Sequence, residues 1–336
     1  MSAPNESFQP PPPPPTLEAK PRARRPSKLL PFGIACFVIG LLVLGAGLAK
    51  VLPGGISTGV FVALFGIGLS GFSFIPLPAL PESDEAPLSF FDRITGIFYE
   101  PSRVFRNLRV HPRWVGAFVV VMVLTTIYSF AFVQRITPER IVEHMTTKIS
   151  EMGPPFAPPP EAMERIRNDQ LAELKNPAQR VEGVVKTSVG LFAVGVIAAA
   201  LCTLGVLVFG GRINFWQSLS MVFHVWVPVA AIQKLLGLAI LYLKAPEDLH
   251  RILNQETTLQ DNLGILMSPA EHPILFVLLS FIGLTWFYLV WLRAKGLRFA
   301  GTKVSSSAAW GVSITIYIVF MILVTIWTSL FPGFIS

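Results

Sequence analysis

The chain has 336 residues, of which 52% are hydrophobic and only 14% are charged, and its formal net charge is +7. A soluble globular protein carries about 25% charged residues, so this composition excludes an ordinary soluble domain. Most of the basic excess falls in segments that are predicted below to lie on one side of a membrane. The charge therefore indicates membrane orientation and not nucleic-acid binding.

Long stretches without a charged residue recur along the chain. They are 29–49, 51–81, 114–134, 187–211, 213–233, 273–292 and 304–336. A helix needs about 20 apolar residues to cross a hydrocarbon core of roughly 30 Å, and lipid-facing backbone must satisfy its hydrogen bonds within the segment. We therefore predict an all-α integral membrane protein, a polytopic helical bundle with about seven transmembrane helices.

The N-terminal part consists of a tail and a predicted hairpin. Residues 1–28 are basic and contain an unbroken run of six prolines, so we expect a disordered tail. An N-terminal two-span hairpin is predicted at 29–80. Its sequence Gly66-Ile-Gly68-Leu-Ser-Gly71 matches G-x-G-x-x-G, but the match lies inside a predicted span. We interpret these glycines as small residues that allow close helix packing, and not as a nucleotide site.

The segment 88–110 has apolar and basic residues at helical spacing but is not apolar enough to span. Pro101 divides it into two short helices. Such a segment lies in the membrane interface, and anionic lipids are its expected partner. The alternative is that its phenylalanines pack against the spans. The candidate membrane-surface residues are Phe91, Arg93, Phe98, Arg103, Phe105, Arg106 and Arg109.

The remaining chain predicts a five-span domain at 88–333. A polar loop at 135–186, with short helices near 137–152 and 160–175, follows its first span. With the N-terminus inside, the inner segments hold fifteen basic and seven acidic residues, against eleven and thirteen in the outer segments. The positive-inside rule therefore predicts an inner N-terminus, an outer C-terminus and an outer polar loop.

Four polar residues lie in the predicted span 215–243. Gln217, Ser220 and His224 share one helical face, and Lys234 is a formal charge in a hydrophobic stretch. Two interpretations stay open for the polar face, a solute path or hydrogen bonds to neighbouring helices. Lys234 is either functional or snorkels to the interface. The sequence has no HExxH, CxxC or phosphate-loop motif, and we predict no catalytic residue, metal or cofactor, and no enzyme.

The same chain resembles the Yip1 domain family over about 88–333. The residues that carry the resemblance are Phe98, Pro101, Phe105, His111-Pro-Arg-Trp114, Asn214-Phe-Trp-Gln217, Pro228, Asn262-Leu-Gly264-Ile-Leu, Trp286 and Gly296-Leu297. The polar insert at 135–186 resembles the bacterial branch. The resemblance implies a five-span membrane domain without catalytic residues, whose eukaryotic relatives act in vesicle trafficking and associate with Rab-type GTPases.

These observations lead to one expected function and one alternative. We expect a non-enzymatic polytopic membrane scaffold, organiser or partner-binding protein of the Yip1 type, in the bacterial cytoplasmic (inner) membrane. Its expected partners are the lipid bilayer and other proteins or a second copy of the chain, and not nucleic acid. The alternative is a small-solute transporter or channel that uses the polar face of the fifth span.

Overall fold

The computed structural model describes residues 29–49, 55–74, 81, 85–151, 158–244, 259, 261–267 and 272–330. Within these residues the structure is helical, with two isolated β-bridges and no strand. The helices are α1 (Leu29–Leu48), α2 (Gly55–Phe72), α3 (Phe90–Tyr99), α4 (Pro101–Val110), α5 (Val115–Ile136), α6 (Pro138–Glu151), α7 (Pro160–Lys175), α8 (Pro177–Val208), α9 (Phe215–Leu243), the 3₁₀ helix η1 (Leu263–Leu266), α10 (Pro273–Ser280), α11 (Leu284–Ala300) and α12 (Ser306–Leu330). The predicted tail at 1–28 lies outside the described residues.

Among the described residues, five helices are long and apolar enough to cross a membrane. They are Leu30–Leu48, Val115–Ile136, Lys186–Val208, Phe215–Leu243 and Ser306–Ile326. The predicted all-α membrane bundle is thereby confirmed. In α2 the apolar stretch Val62–Phe72 is shorter than a span, and the span predicted at 273–292 is divided between α10 and α11. The count of seven therefore stays a prediction.

The chain divides into two compact units, Met1–Ala79 and Leu80–Ser336. In the first unit, α1 and α2 pack antiparallel through glycines. A Cβ on Gly40 would collide with the backbone of Ala63, and one on Gly66 with the backbone of Phe37. The close packing predicted for Gly66 is thus present, whereas Gly68 and Gly71 face open space.

Helix α9 lies at the centre of the second unit. Nearly all its residues from Phe215 to Ala230 are buried, and α3, α4, α5, α8 and α11 pack around it. An apolar cluster near its C-terminal end joins it to α5 and consists of Tyr128, Phe132, Ile136 and Leu241. A second, aromatic cluster joins it to α5 and α8 and consists of Trp114, Phe118, Phe192 and Phe223.

Three connecting segments meet at one end of this unit. Arg212, between α8 and α9, and Thr302, between α11 and α12, exchange two backbone hydrogen bonds of 2.8 and 2.6 Å. Gln217, in the first turn of α9, donates to the carbonyl oxygen of Arg109 near the end of α4 at 2.6 Å. Three of the segments that the charge pattern assigns to the inner side, all within this unit, therefore lie together.

The two short helices predicted in the polar loop are present as α6 and α7. The ammonium of Lys175 at the end of α7 lies 2.6 Å from the Glu139 carboxylate at the beginning of α6. This ion pair joins the far ends of the two helices, which pack against each other. The outer location of the loop stays a prediction.

The break between α10 and α11 is filled by the segment around η1. Asn262 and Gly283 form a β-bridge, and the backbone N–H of Leu263 donates to the carbonyl oxygen of Ile282 at 3.0 Å. The carboxylate of Asp261 accepts from the backbone N–H of Thr285 at 2.8 Å. Backbone groups that lose their helical hydrogen bonds at this break are thus hydrogen-bonded by residues from elsewhere in the chain, as is required at membrane depth.

Candidate functional site

The paired helices α3 and α4, hereafter the α3–α4 hairpin, begin at a serine cap and turn at a proline. The Ser89 hydroxyl oxygen accepts from the backbone N–H of Asp92 at 3.1 Å, which satisfies one of the free donors of the first turn. Pro101 is the first residue of α4, where a proline loses no helical hydrogen bond. The predicted division at Pro101 is confirmed by these helix bounds.

A buried asparagine fixes the segment that leads into the hairpin. The Asn107 side-chain amide donates to the carbonyl oxygen of Ala86 at 3.1 Å, and its oxygen accepts from the backbone N–H of Leu88 at 3.1 Å. The beginning of α3 is therefore held beside the end of α4. Sequence reasoning missed Asn107, although a polar residue three positions after Val104, on the apolar side of α4, is a usable signal.

The three phenylalanines of the hairpin do not share one environment. Phe91 is 75% exposed and Phe98 is 48% exposed, whereas Phe105 is 0% exposed. A Cβ built on Gly296 of α11 would lie 3.3 Å from the Phe105 ring, so this ring packs tightly inside the bundle. Phe105 is therefore not a membrane-surface residue, and the packing alternative holds at this position. Phe91 and Phe98 remain candidates for lipid contact.

The arginines of the hairpin also divide into an exposed and a buried group. Arg103 forms an exposed ion pair with Glu100 at 3.3 Å. Arg106 lies with its guanidinium 5.8 Å from the centre of the Phe299 ring, within the range of a cation–π contact. Arg109 is half-buried, and its buried Nε atom has no hydrogen-bond partner among the described residues. The exposed members, Arg103 and Arg106, remain candidates for the membrane surface.

Arg93 points into the protein instead of toward the membrane surface. It is 7% exposed, and its Nε donates to the carbonyl oxygen of Ser89 at 3.3 Å. Its Nη1 has no hydrogen-bond partner in the described part of the chain. Burial lowers the pKa of the Arg93 guanidinium, and the positive charge of Arg113 acts in the same direction. Arg93 also lies within electrostatic range of His224 in α9.

The polar face predicted on α9 is present and buried. Gln217 forms a capping box with Asn214, and His224 Nδ1 lies 2.7 Å from the carbonyl oxygen of Ser220. The Ser220 hydroxyl is buried and has no hydrogen-bond partner within the residues that the structure describes. Gln217 also donates to the Arg109 carbonyl oxygen of α4, as expected for bonding to a neighbouring helix, whereas His224 bonds within α9.

Lys234 lies in the C-terminal half of α9 and contacts an aromatic ring. Its ammonium is 4.7 Å from the centre of the Tyr128 ring on α5, which is a cation–π distance. The side chain is half-buried. The contact gives the charge a favourable neighbour inside the bundle, and whether Lys234 has a further role stays a prediction.

Arg293 is a second charged residue inside the bundle, and sequence reasoning missed it. The charge-free stretch 273–292 ends directly before Arg293, but α11 continues to Ala300. Its Nε donates to the Ser313 hydroxyl at 3.1 Å, and its Nη2 donates to the Ser313 carbonyl oxygen at 2.9 Å. This side chain therefore joins α11 to α12 from within a helix.

A family model described as the Yip1 domain matches residues 95–328, which is more than half of the chain. The chain belongs to the Yip1 family. The predicted resemblance over 88–333 is thereby confirmed, and with the apolar helices it identifies a multi-pass integral membrane protein in contact with the bilayer. Neither the curated proteins nor the solved structures contain a match to the chain.

Several residues that carried the Yip1 resemblance have packing roles. Asn262 caps η1 by accepting from the backbone N–H of Gly264 at 3.0 Å. A Cβ on Gly264 would collide with the Ser280 hydroxyl. A Cβ on Gly296 would lie 2.5 Å from a Met221 side-chain carbon in α9. These Yip1 landmarks are therefore sites where helices or loops approach closely.

Proposed function

We propose that this Yip1 protein is a non-enzymatic membrane scaffold, which binds partners or organises the inner membrane of a bacterium. In this proposal the N-terminus is inside, the C-terminus is outside, and the α3–α4 hairpin lies against the inner surface. One observation carries the proposal: the hairpin is bonded to the spans on one side and exposes aromatic and basic side chains on the other. Because the hairpin is fixed to the spans, its exposed side chains keep one arrangement, which is suited to binding a partner protein or lipid.

The exposed side of the hairpin supplies enough free energy for surface binding. Phe91, Phe98 and Tyr99 are all exposed there, and burying one large apolar side chain stabilises a complex by about 1.5–3 kcal/mol. Each basic residue near an anionic leaflet adds about 1 kcal/mol, and Arg103 and Arg106 are exposed on α4. The ordering cost is small because the hairpin is already folded against the spans.

The bonding of the polar residues in α9 favours a scaffold over the transporter alternative. The side-chain oxygen and nitrogen of Gln217 both form hydrogen bonds within the protein, and His224 forms one within its own helix. A solute path needs polar groups that are free to exchange partners with the solute. The face predicted as a candidate path therefore supports helix packing.

Site-directed photo-crosslinking in intact cells tests the scaffold. A photoreactive residue at Tyr99 or Phe91 samples the exposed side of the hairpin, and the same residue at exposed Ile318 in α12 samples an apolar lipid-facing position. We expect discrete protein products, identified by mass spectrometry, at the hairpin positions and only lipid products at Ile318. Two results together would favour the transporter interpretation over the scaffold. They are the absence of a protein product at the hairpin positions, and solute flux in proteoliposomes that is lost in a Gln217→Ala/His224→Ala variant.

A further inference from the structure

A cavity of about 230 Å³ lies between α5, α7 and α8, at the end of the second unit away from the α3–α4 hairpin. Thr125, Thr126 and Ser129 of α5 line one wall, and Thr187 of α8 lines the other. Arg180, in the first turn of α8, also lines the cavity. The other lining residues are Phe130, Val133, Leu174, Gly183 and Val184. Four hydroxyl-bearing side chains and one guanidinium thus contribute to a lining whose other members are mainly apolar.

The cavity is a gap in the helix packing. Helix α5 packs extensively on α9 and only lightly on α8, so the α5 surface that faces α8 is left partly open. Phe130 and Thr187 are exposed at its edge. The two helices include predicted spans, Val115–Ile136 and Lys186–Val208, so a molecule dissolved in the bilayer reaches this edge directly.

The guanidinium of Arg180 is positioned by the protein and retains free donors. Its Nε donates to the carbonyl oxygen of Leu174 at the end of α7 at 2.5 Å. No other side-chain hydrogen bond of Arg180 occurs in the described structure. Because guanidinium presents five N–H donors in a planar fork, the remaining donors suit an anionic oxygen pair.

The threonine hydroxyls in the cavity are also unusual within this chain. Thr203 and Thr325 donate to the carbonyl oxygen four residues earlier, as hydroxyls in membrane helices often do. The hydroxyls of Thr125, Thr126 and Thr187 make no such hydrogen bond within the described part of the chain. Polar groups at membrane depth are costly without a partner, and a ligand with acceptor oxygens would provide one.

We propose that this cavity binds a phosphate group, carried by the headgroup of a membrane phospholipid. The phosphate oxygens accept from the Arg180 guanidinium and from the threonine hydroxyls, and the acyl chains leave past Phe130 into the bilayer. The cavity is smaller than the roughly 300–1,000 Å³ sites that hold drug-sized molecules, which suits a headgroup and not a whole lipid. This inference is independent of the scaffold function.

Native mass spectrometry of the full-length protein, in a detergent without phosphate, tests the proposal. The probes are dioctanoyl phosphatidylglycerol, dioctanoylglycerol, which has the same chains without phosphate, and inorganic phosphate. We expect a one-to-one adduct with phosphatidylglycerol that is much weaker with dioctanoylglycerol. Arg180→Gln removes charge-assisted hydrogen bonds and is expected to weaken this adduct roughly tenfold or more.

Two further variants separate binding from folding and from surface charge. Thr125→Val/Thr126→Val keeps the side-chain shape, removes two hydroxyls and is expected to weaken the adduct roughly fivefold. Thr325→Val, a threonine outside the cavity, and Arg167→Gln, an exposed arginine of α7, serve as matched controls and should bind like the unmodified chain.

Three results would overturn the proposal. One is equal binding of phosphatidylglycerol by the cavity variants and the controls. Another is equal binding of dioctanoylglycerol, which would make the contact purely apolar. The third is Arg180-dependent binding of inorganic phosphate with no preference for the lipid, which would assign the cavity to a soluble anion.

Discussion

Gln217 on α9 donates a hydrogen bond of 2.6 Å to the carbonyl oxygen of Arg109 on α4. The same amide accepts from the backbone N–H of Asn214 at 2.7 Å. Both backbone groups lie at helix ends, where helices leave donors and acceptors unsatisfied. One buried side chain therefore completes two helix ends and fixes the α3–α4 hairpin to the central helix of this Yip1 protein.

Replacing Gln217 by Ala is expected to destabilise the protein by about 1–3 kcal/mol, because two backbone groups lose their partner in a buried site. The measurement is the apparent Tm of the full-length protein in detergent. Gln134→Ala is the matched control, since Gln134 is exposed near the end of α5, and it should leave the Tm unchanged. An unchanged Tm for Gln217→Ala would show that its hydrogen bonds are not structural.

The phenylalanines of the hairpin should respond differently to truncation. Phe105→Ala is expected to cost about 3–5 kcal/mol, as for other buried aromatic residues, because Phe105 is fully buried. Phe91→Ala and Phe98→Ala should change the Tm in detergent only slightly, since both rings are exposed. The same thermal unfolding assay compares all three, and similar losses would contradict the division into a packed and an exposed side.

The helix bounds explain how far the sequence could predict this region. Pro101 correctly marked the beginning of the second short helix. The spacing of seven residues between Phe98 and Phe105 indicates one face only if the helix is continuous. The helix is interrupted between Tyr99 and Pro101. The apolar face of α4 therefore points in a different direction from that of α3, and Phe105 packs inside the bundle. A periodicity argument cannot follow a face across such an interruption.

The polar residues show a second limit of sequence reasoning. Gln217, Ser220 and His224 were predicted to share one helical face because helical spacing is a local property. The partner of Gln217 is Arg109, which is 108 positions away in the chain. Arg293 was missed for a related reason, since the end of α11 depends on tertiary packing and not on the charge pattern. Local patterns locate polar faces, whereas partners follow from the fold.

Acidification should loosen the contact between α6 and α7. The hydrogen bond from Lys175 lowers the pKa of Glu139 below its ordinary value of 4.5. A carboxyl whose folded pKa is depressed contributes stability that is present above its unfolded pKa and lost as the pH falls through the folded pKa. Spin labels at exposed Glu143 and Glu164 should therefore show a distance distribution that broadens as the pH falls below the ordinary glutamate pKa of 4.5.

Glu139→Gln removes the titrating group of this contact. In that variant the label distances should be broad at neutral pH and should not change further on acidification through this range. The ion pair is exposed, so the change is expected to be confined to α6 and α7. A pH response that persists in Glu139→Gln would assign the titration to another group.

Membrane sidedness is tested with single cysteines in a chain whose Cys36 and Cys202 are replaced by Ala. A cysteine at Glu164 in α7 should react with an impermeant thiol reagent on intact cells. A cysteine at Arg298 in α11 should react only after permeabilisation, because the positive-inside rule places that end inside. Both positions are exposed, so burial does not protect them. Reversed reactivity would invert the proposed orientation.

Asp261 and Thr285 are in contact at the break between α10 and α11. The Asp261 carboxylate accepts from both the backbone N–H and the hydroxyl of Thr285, so one carboxylate caps α11 from a distant segment. Asp261→Ala is expected to destabilise the protein by about 1–3 kcal/mol through the uncapped N–H and hydroxyl. Asp169→Ala, an exposed aspartate of α7, should have no such effect.

A double-mutant cycle in the thermal unfolding assay isolates this contact. Thr285→Val removes the hydroxyl and leaves the backbone N–H bond in place, so it should cost less than Asp261→Ala. In the double variant the two losses should not add, because residues that share a hydrogen bond are energetically coupled. Additive losses would mean that each residue acts through other contacts. Coupling would show that the helix break is stabilised by the acceptor that Asp261 supplies.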